Sequence, residues 1–194
     1  MGDGGQYVVA RKISEHDKQE QLMNDTQVYI RVATAYDSGK LRAMFARASS
    51  ETIYRRFHIP YPEVPEWMVA MMLGTDHHDK ESLVAIAKEK VVGHAMYARL
   101  REGTEAEMAI LVEDGWQSKG VGTSLLSELA DRAKRRGIDT FTAEVLAQNR
   151  PMLGLADKFQ GTDYTTEDGV SHVRMPLQTP EPVASAPLAV RRAA

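Results

Sequence analysis

Gln117-Ser118-Lys119-Gly120-Val121-Gly122-Thr123 is the stretch of this 194-residue chain with the plainest chemical content. It stands between an apolar run, Glu107-Met108-Ala109-Ile110-Leu111-Val112, and a longer pattern in which Leu125, Leu126, Leu129 and Ala133 recur at helical spacing. A strand that turns through glycine into a helix aims backbone N–H groups at an anion. The first helical turn leaves its amides unpaired and carries the positive end of the macrodipole. Gly120 and Gly122 have no Cβ, so a phosphate can approach the backbone closely, and Thr123 adds a hydroxyl donor. The stretch reads as a pyrophosphate cradle. A Gly-x-x-x-x-Gly-Lys-Ser/Thr loop and a Gly-x-Gly-x-x-Gly turn both fail here, because Lys119 precedes the first glycine and position 125 is leucine. What remains is Gln-x-x-Gly-x-Gly.

The run that feeds the cradle carries Glu107, and two more carboxylates, Glu105 and Glu144, sit in β-rich surroundings. A carboxylate beside a bound electrophile can take the proton of an attacking group. Glu105 shares a face with Glu107 by the two-residue period of a strand, and Glu144 belongs to the next strand along. Spacing alone leaves all three open, next to the plain reading of solvated strand carboxylates. The histidines offer less. His77-His78-Asp79 invites a metal, but adjacent residues rarely ligate one ion together and no second cluster accompanies them, so a polar loop is expected. His94 in mid-strand reads as structural, as does His58, although His58 stands where it could contact a substrate. No Gly-x-Ser-x-Gly elbow exists, and the absence of cysteine removes thiolate zinc sites and cysteine nucleophiles.

Secondary-structure elements must hold these groups in place. Residues 1–25 are polar, with Tyr7-Val8-Val9-Ala10 the one apolar cluster, and are expected to form a flexible N-terminal arm. Residues 26–33 alternate as a strand. Asp37 or Ser38 is positioned to cap a helix bearing Leu41, Met44, Phe45 and Ala48 on one face. Ser49-Ser50-Glu51-Thr52 opens a second helix that Pro60 and Pro62 stop. Pro65 opens a third, through Trp67, Met68, Met71, Met72 and Leu73, whose methionines are expected in the core. Residues 82–88, 91–100 and 104–112 read as a three-strand meander that turns at Glu89-Lys90 and at Arg101-Glu102-Gly103. The helix after the cradle ends at Lys134-Arg135-Arg136-Gly137, with cations at its negative end and then glycine. A strand over 139–147, a helix started by Asn149-Arg150-Pro151 and two strands around Glu167-Asp168-Gly169 complete the order. The Pro/Ala-rich residues 178–194 are expected to be a disordered tail.

The Gln-x-x-Gly-x-Gly string and this order of elements resemble the GNAT family of N-acetyltransferases over residues 26–177. The resemblance implies an α/β fold of α+β character, a single domain whose central mixed, splayed sheet is flanked by helices. Acetyl-CoA is then expected as co-substrate, in the split between the fourth and fifth strands. Transfer from a thioester to a lysine amine requires that amine to be neutral, although its ordinary pKa is about 10.4. The reaction therefore needs a proton acceptor, a donor to the developing oxyanion and an anchor for the pyrophosphate.

Closer similarity is to bacterial protein lysine acetyltransferases that modify acyl-CoA synthetases. It is carried by Ser50-Glu51-Thr52-Ile53-Tyr54-Arg55-Arg56-Phe57, Ala106-Glu107-Met108-Ala109, Trp116-Gln117 through Gly122-Thr123, Ala143-Glu144-Val145-Leu146 and Asn149-Arg150-Pro151-Met152-Leu153. That resemblance implies Glu107 as general base and the backbone of Ile110, Leu111 and Val112 on the pantetheine arm. It implies Gln117, Ser118, Lys119, Gly120, Val121, Gly122 and Thr123 on the pyrophosphate, with Asn149 near the cofactor. A cyclic-nucleotide-binding domain, fused to some actinobacterial members, is not expected here. The tyrosine that many acetyltransferases place on the helix after the fifth strand is missing from residues 150–159, with Tyr164 just beyond. The thiolate is expected to leave unaided or to take a proton from water.

Bulk composition narrows the class. Apolar residues at 43% and charged residues at 26% are ordinary for a globular domain. A net charge of −3 argues against sequence-independent nucleic-acid binding. No run reaches the roughly 18 apolar residues of a membrane span, and no apolar signal segment opens the chain. A cytoplasmic enzyme without a metal is expected, with an acyl-CoA synthetase as its protein partner. The alternatives are a small-molecule amine N-acetyltransferase of the polyamine or aminoglycoside type, and a non-catalytic acyl-CoA-binding regulator.

Overall fold

The computed structural model describes residues 27–101, 103–177 and 190–192. The expected arm over 1–25 lies outside them. In chain order the elements are β1 (Val28–Val32), α1 (Ser38–Arg47), α2 (Ser50–Phe57), α3 (Glu66–Leu73), β2 (Lys80–Ala87), β3 (Lys90–Arg99), β4 (Glu105–Val112), α4 (Val121–Arg135), β5 (Thr140–Leu146), α5 (Arg150–Ala156), β6 (Asp163–Glu167), β7 (Val170–Pro176) and β8 (Val190–Arg192). Short 3-10 turns lie at Ala35–Asp37 and Asp114–Trp116.

The strands form one mixed sheet in the order β6-β7-β5-β4-β3-β2-β1-β8. Strands β1 to β4 are antiparallel neighbours, whereas β4 and β5 run parallel. That parallel pair is short. It covers Glu105↔Thr140, Ala106↔Phe141 and Glu107↔Thr142, and there it stops. Beyond it, β4 stays paired with β3 as far as Val112, and β5 with β7 as far as Leu146. Each lip of the split is thus backed by sheet on its far side, which holds the opening in shape.

Two apolar cores cover the two faces. Leu125, Leu126 and Leu129 of α4 join Ala85, Ala95 and Tyr97 on one face. Leu41 and Met44 of α1, with Met68 and Met72 of α3, join Val84, Val91 and Leu111 on the other. Burying one such leucine or methionine side chain contributes about 1.5–3 kcal/mol. A Cβ added to Gly93 on β3 would come within 2.9 Å of Leu125 Cδ1. Glycine there lets α4 sit close to the sheet, which sets the height of its N-terminus above the end of β4.

Several local expectations are corrected. The β2–β3 turn is Lys88-Glu89, with Lys90 already paired to Ala87. Both turn residues have positive φ, 48° and 61°, as a two-residue hairpin of the right twist demands, although neither is Gly or Asn. Helix α2 ends at Phe57, before the prolines, because His58 takes the left-handed conformation at φ 56°. Asp37 does not cap α1. Its buried carboxylate instead accepts from both Arg31 guanidinium nitrogens, at 2.8 and 2.7 Å, and from Thr34 N at 2.8 Å. Met68 and Met72 are core as expected, while Met71 and Trp67 on α3 are exposed. Within the expected disordered tail, Val190–Arg192 pairs parallel to β1, and residues 178–189 and 193–194 lie outside the described residues. Among the described residues no helix is long and apolar enough to cross a membrane.

Candidate active site

The split between β4 and β5 opens a cleft of about 810 Å³, within the size range of small-molecule sites. Every expected site residue lines it except Lys119 and Val121. Val121 is fully buried and belongs to the core under α4. Lys119 turns aside, its Nζ 5.4 Å from the centre of the Trp116 ring.

The cradle end is built mainly from backbone. Gly120 occupies the left-handed region at φ 85°, as the residue before the first turn of α4, and open space surrounds the position its Cβ would take. The first bond closing the helix runs from Ser124 N to Gly120 O at 3.0 Å. The amides of residues 121–123 therefore have no partner within the helix. Lys158, beyond α5, reaches the same turn and donates from Nζ to Thr123 Oγ1 at 2.9 Å. Glycine backbone, helix N-terminus, hydroxyl and ammonium together fit a diphosphate. Nothing in the local motif marks Lys158, because only the fold of α5 against α4 brings it there.

Gln117, first residue of the motif, lines the cleft and also bonds within the protein. Its Nε2 donates to Val112 O at 2.9 Å and to Thr52 Oγ1 at 3.2 Å. Beside it, Asp114 accepts from Ser49 N (2.8 Å), Ser49 Oγ (2.7 Å) and Thr52 Oγ1 (2.8 Å). Burial works against ionisation of Asp114, yet the hydrogen bonds from Ser49 and Thr52 hold its carboxyl below the ordinary range. Glu113 is gripped by Arg47 of α1 at 2.7 Å. The turn between β4 and the cradle is thereby pinned to the start of α2.

Helix α2 forms the opposite wall, presenting Arg55, Arg56 and Phe57, with His58 just after it. Facing them is Glu107, exposed on β4 at the last residue of the parallel pair. A carboxylate at that point stands where the sheet opens and a reacting amine can enter. Of its two rivals, Glu105 is tied to Arg174 of β7 and does not line the cleft. Glu144 does line it, 3.7 Å from His172 Nδ1. Tyr164 lies off the cleft, its hydroxyl bonded to the Asp157 carboxylate. Burial, and then that carboxylate, push the phenol upward, away from proton donation. His77 and His78 bond Glu81 and Asp79 in a polar loop. Among the described residues no group of three or more His, Cys, Asp or Glu could hold a metal.

Comparison with known proteins agrees with this geometry. The model of the acetyltransferase (GNAT) family matches residues 41–161, more than half of the chain. Acetyltransferase Pat of Mycolicibacterium smegmatis is 33% identical over 125 residues, which is 62% of this chain and 36% of that protein. The chain thus spans little more than a third of that relative's length. Acetyltransferase PA5475 of Pseudomonas aeruginosa is 27% identical over 140 residues, covering 70% of this chain and 75% of that one. Among solved structures, the GNAT domain of S. lividans PAT superposes with a TM-score of 0.71 at 30% identity, covering 76% of this chain and 89% of that one. A protein from Salmonella typhimurium solved with its cofactor acetyl-CoA shares the fold, with a TM-score of 0.62 at 21% identity over 78% of this chain and 94% of that one. A splayed sheet, a Gln-x-x-Gly-x-Gly cradle at the mouth of the split and a matching family model lead to one assignment: this chain belongs to the GNAT acetyltransferase family, with acetyl-CoA as its acetyl donor.

Proposed function

We propose that the chain transfers acetyl from acetyl-CoA to the side-chain amine of a protein lysine, with Glu107 as general base, and that its substrate is an acyl-CoA synthetase. The observation that carries the base assignment is the place of Glu107: the β4–β5 pairing ends at this residue, and its carboxylate lines the cleft. The sequence resemblance at α2, β4, the cradle and α5, together with the likeness to acetyltransferase Pat, supports a protein acceptor.

Glu107 takes a proton from the incoming ammonium, so that a neutral nitrogen attacks the thioester carbonyl directly. The edge of β4 beyond Glu107, free of a β5 partner, offers N–H groups to the oxyanion and carbonyls to the pantetheine arm. The amides of residues 121–123, with Lys158, hold the diphosphate. Ile110, Leu111, Val112 and Asn149 line the path between. The tetrahedral intermediate expels the CoA thiolate, and the second nitrogen proton passes to that thiolate or to water; no side chain is assigned to this step, since a thiol is a fairly acidic leaving group. A cytoplasmic site of action accompanies this reading.

The test is transfer of labelled acetyl from acetyl-CoA to acetyl-CoA synthetase. Label on a synthetase lysine, lost in Glu107→Gln while CoA binding is kept, is the expected result. Absence of label on the synthetase, with turnover of polyamines or aminoglycosides, overturns the protein-substrate reading in favour of a small-amine enzyme.

A further inference from the structure

Among the described residues, Arg56 lacks the carboxylate partner that several other arginines of the structure have. Arg31 closes on Asp37 at 2.7 Å, Arg47 on Glu113 at 2.7 Å and Arg99 on Asp79 at 2.8 Å. Arg55, its neighbour on α2, is taken by Glu51. Arg56 lines the cleft, yet among the described residues it closes on no carboxylate, and its Nε is sealed from solvent with no hydrogen-bond partner. Its guanidinium rests over the Phe57 ring, 4.9 Å from the centroid, which fixes its direction.

The groups around Arg56 leave it unsatisfied. His94 on β3 is fully buried, bonds Ser82 Oγ through Nε2 at 2.9 Å and has an Nδ1 that is likewise without a partner. Burial, and then the Arg56 charge, push His94 down to about 3, so it stays neutral and offers no counter-charge. Glu107 on β4 is near enough to favour the Arg56 charge, but burial outweighs it and brings the guanidinium down to about 10. A guanidinium is a planar fork of donors that matches a carboxylate at two points. Here the fork stands at the cleft wall near Glu107, and among the described residues no carboxylate closes on it.

We propose that Arg56 recognises a carboxylate brought into the cleft, either on a residue beside the acceptor amine or on the acyl group of the donor. The acceptor alternative rests on the protein-lysine reading above; the donor alternative does not. Two measurements on wild type, Arg56→Gln and Arg56→Lys separate the sources. The first is calorimetric binding of acetyl-CoA and succinyl-CoA. The second is binding to the enzyme–CoA complex, and acetylation, of two synthetic peptides that differ only in Asp or Asn next to a single lysine.

In one of the two pairs the wild type is expected to favour the carboxylate-bearing member by about tenfold, the scale of one charge-assisted contact. Arg56→Gln abolishes that preference, and Arg56→Lys retains part of it. The proposal is overturned if wild type favours neither carboxylate form, or if Arg56→Gln leaves the ratios unchanged. A uniform fall in turnover with every donor and peptide also overturns it, because Arg56 would then serve Glu107 alone. Preference for succinyl-CoA with neither peptide bound nor acetylated keeps the role of Arg56 and sinks the protein-lysine reading.

Discussion

On the proposed reading, the binding groups at the donor end of the cleft are backbone amides of residues 121–123, offered by the first turn of α4 and made reachable by Gly120 and Gly122. At the acceptor end they are the tips of side chains, with Arg55, Arg56 and His58 facing Glu107 and Glu144 across the opening. The first end depends on chain conformation and tolerates many side chains, while the second is set by which residues α2, β4 and β5 carry. A shared donor needs a shared backbone shape. A fold does not fix its substrate, so selection of the acceptor falls to side chains. Between the ends, Asp114 and Gln117 fasten the cradle loop to the start of α2.

Replacing the proposed base separates the ends most sharply. Glu107→Gln should lower kcat by about 10²–10⁴-fold, the usual contribution of a positioned base, with CoA affinity unchanged. Steady-state kinetics beside calorimetry check this, and a fall in CoA affinity of the same size would place Glu107 at the donor end instead. Next comes the donor end itself. A Cβ at Gly122 lies 3.6 Å from Leu155 Cδ2 and 3.7 Å from Val112 Cγ2, so the fold accepts it. The branched side chain of Gly122→Val would then stand in the path of the diphosphate. The donor KM should rise about tenfold, or ~1.4 kcal/mol, with little change in the amine KM.

The clamp touches both ends, and its effect falls on stability before activity. Asp114→Ala removes three hydrogen bonds to the start of α2 and should cost about 2 kcal/mol of stability. If the clamp keeps the ends in register, the amine KM rises more than the donor KM. A loss of stability in urea melts with both KM values unchanged would show that the ends are independent. The effect with the least bearing on activity lies outside both ends. The Arg31 guanidinium, working against partial burial, holds Asp37 at about 2, against about 3.9 in an unfolded chain. Because the folded value is the lower one, this stability is present above pH 4 and is lost as pH falls towards 2. Its size is on the order of 2 kcal/mol. Urea melts from pH 5 to 2 should show it in wild type and not in Asp37→Asn, whose kcat at neutral pH should match wild type.

The readable parts of the site were those whose geometry is local. Gly120, Gly122 and Thr123 between an apolar run and an amphipathic helix specify a strand-to-helix turn, and such a turn fixes its amides without help from distant residues. The order of strands and helices was legible for the same reason, since period and turn residues are short-range signals. The parts that stayed hidden depend on residues far apart in the chain. Asp114 and Thr52 are 62 residues apart, and Thr123 and Lys158 are 35 apart. Within the motif, the side chains of Gln117 and Val121 also serve the protein's own packing, which the string alone does not show.

By itself, then, the sequence determined the elements, their order and the cradle, because each follows from the conformational preferences of a few adjacent residues. Tertiary structure alone decided that the parallel pair stops at Glu107↔Thr142, that Glu105 is occupied by Arg174, and that among the described residues no carboxylate closes on Arg56 at the cleft wall. Those outcomes depend on the angle at which β5 leaves β4 and on how α2 lies across the sheet. Both are set by the packing of two cores on opposite faces, and packing sums over contacts that no local pattern records.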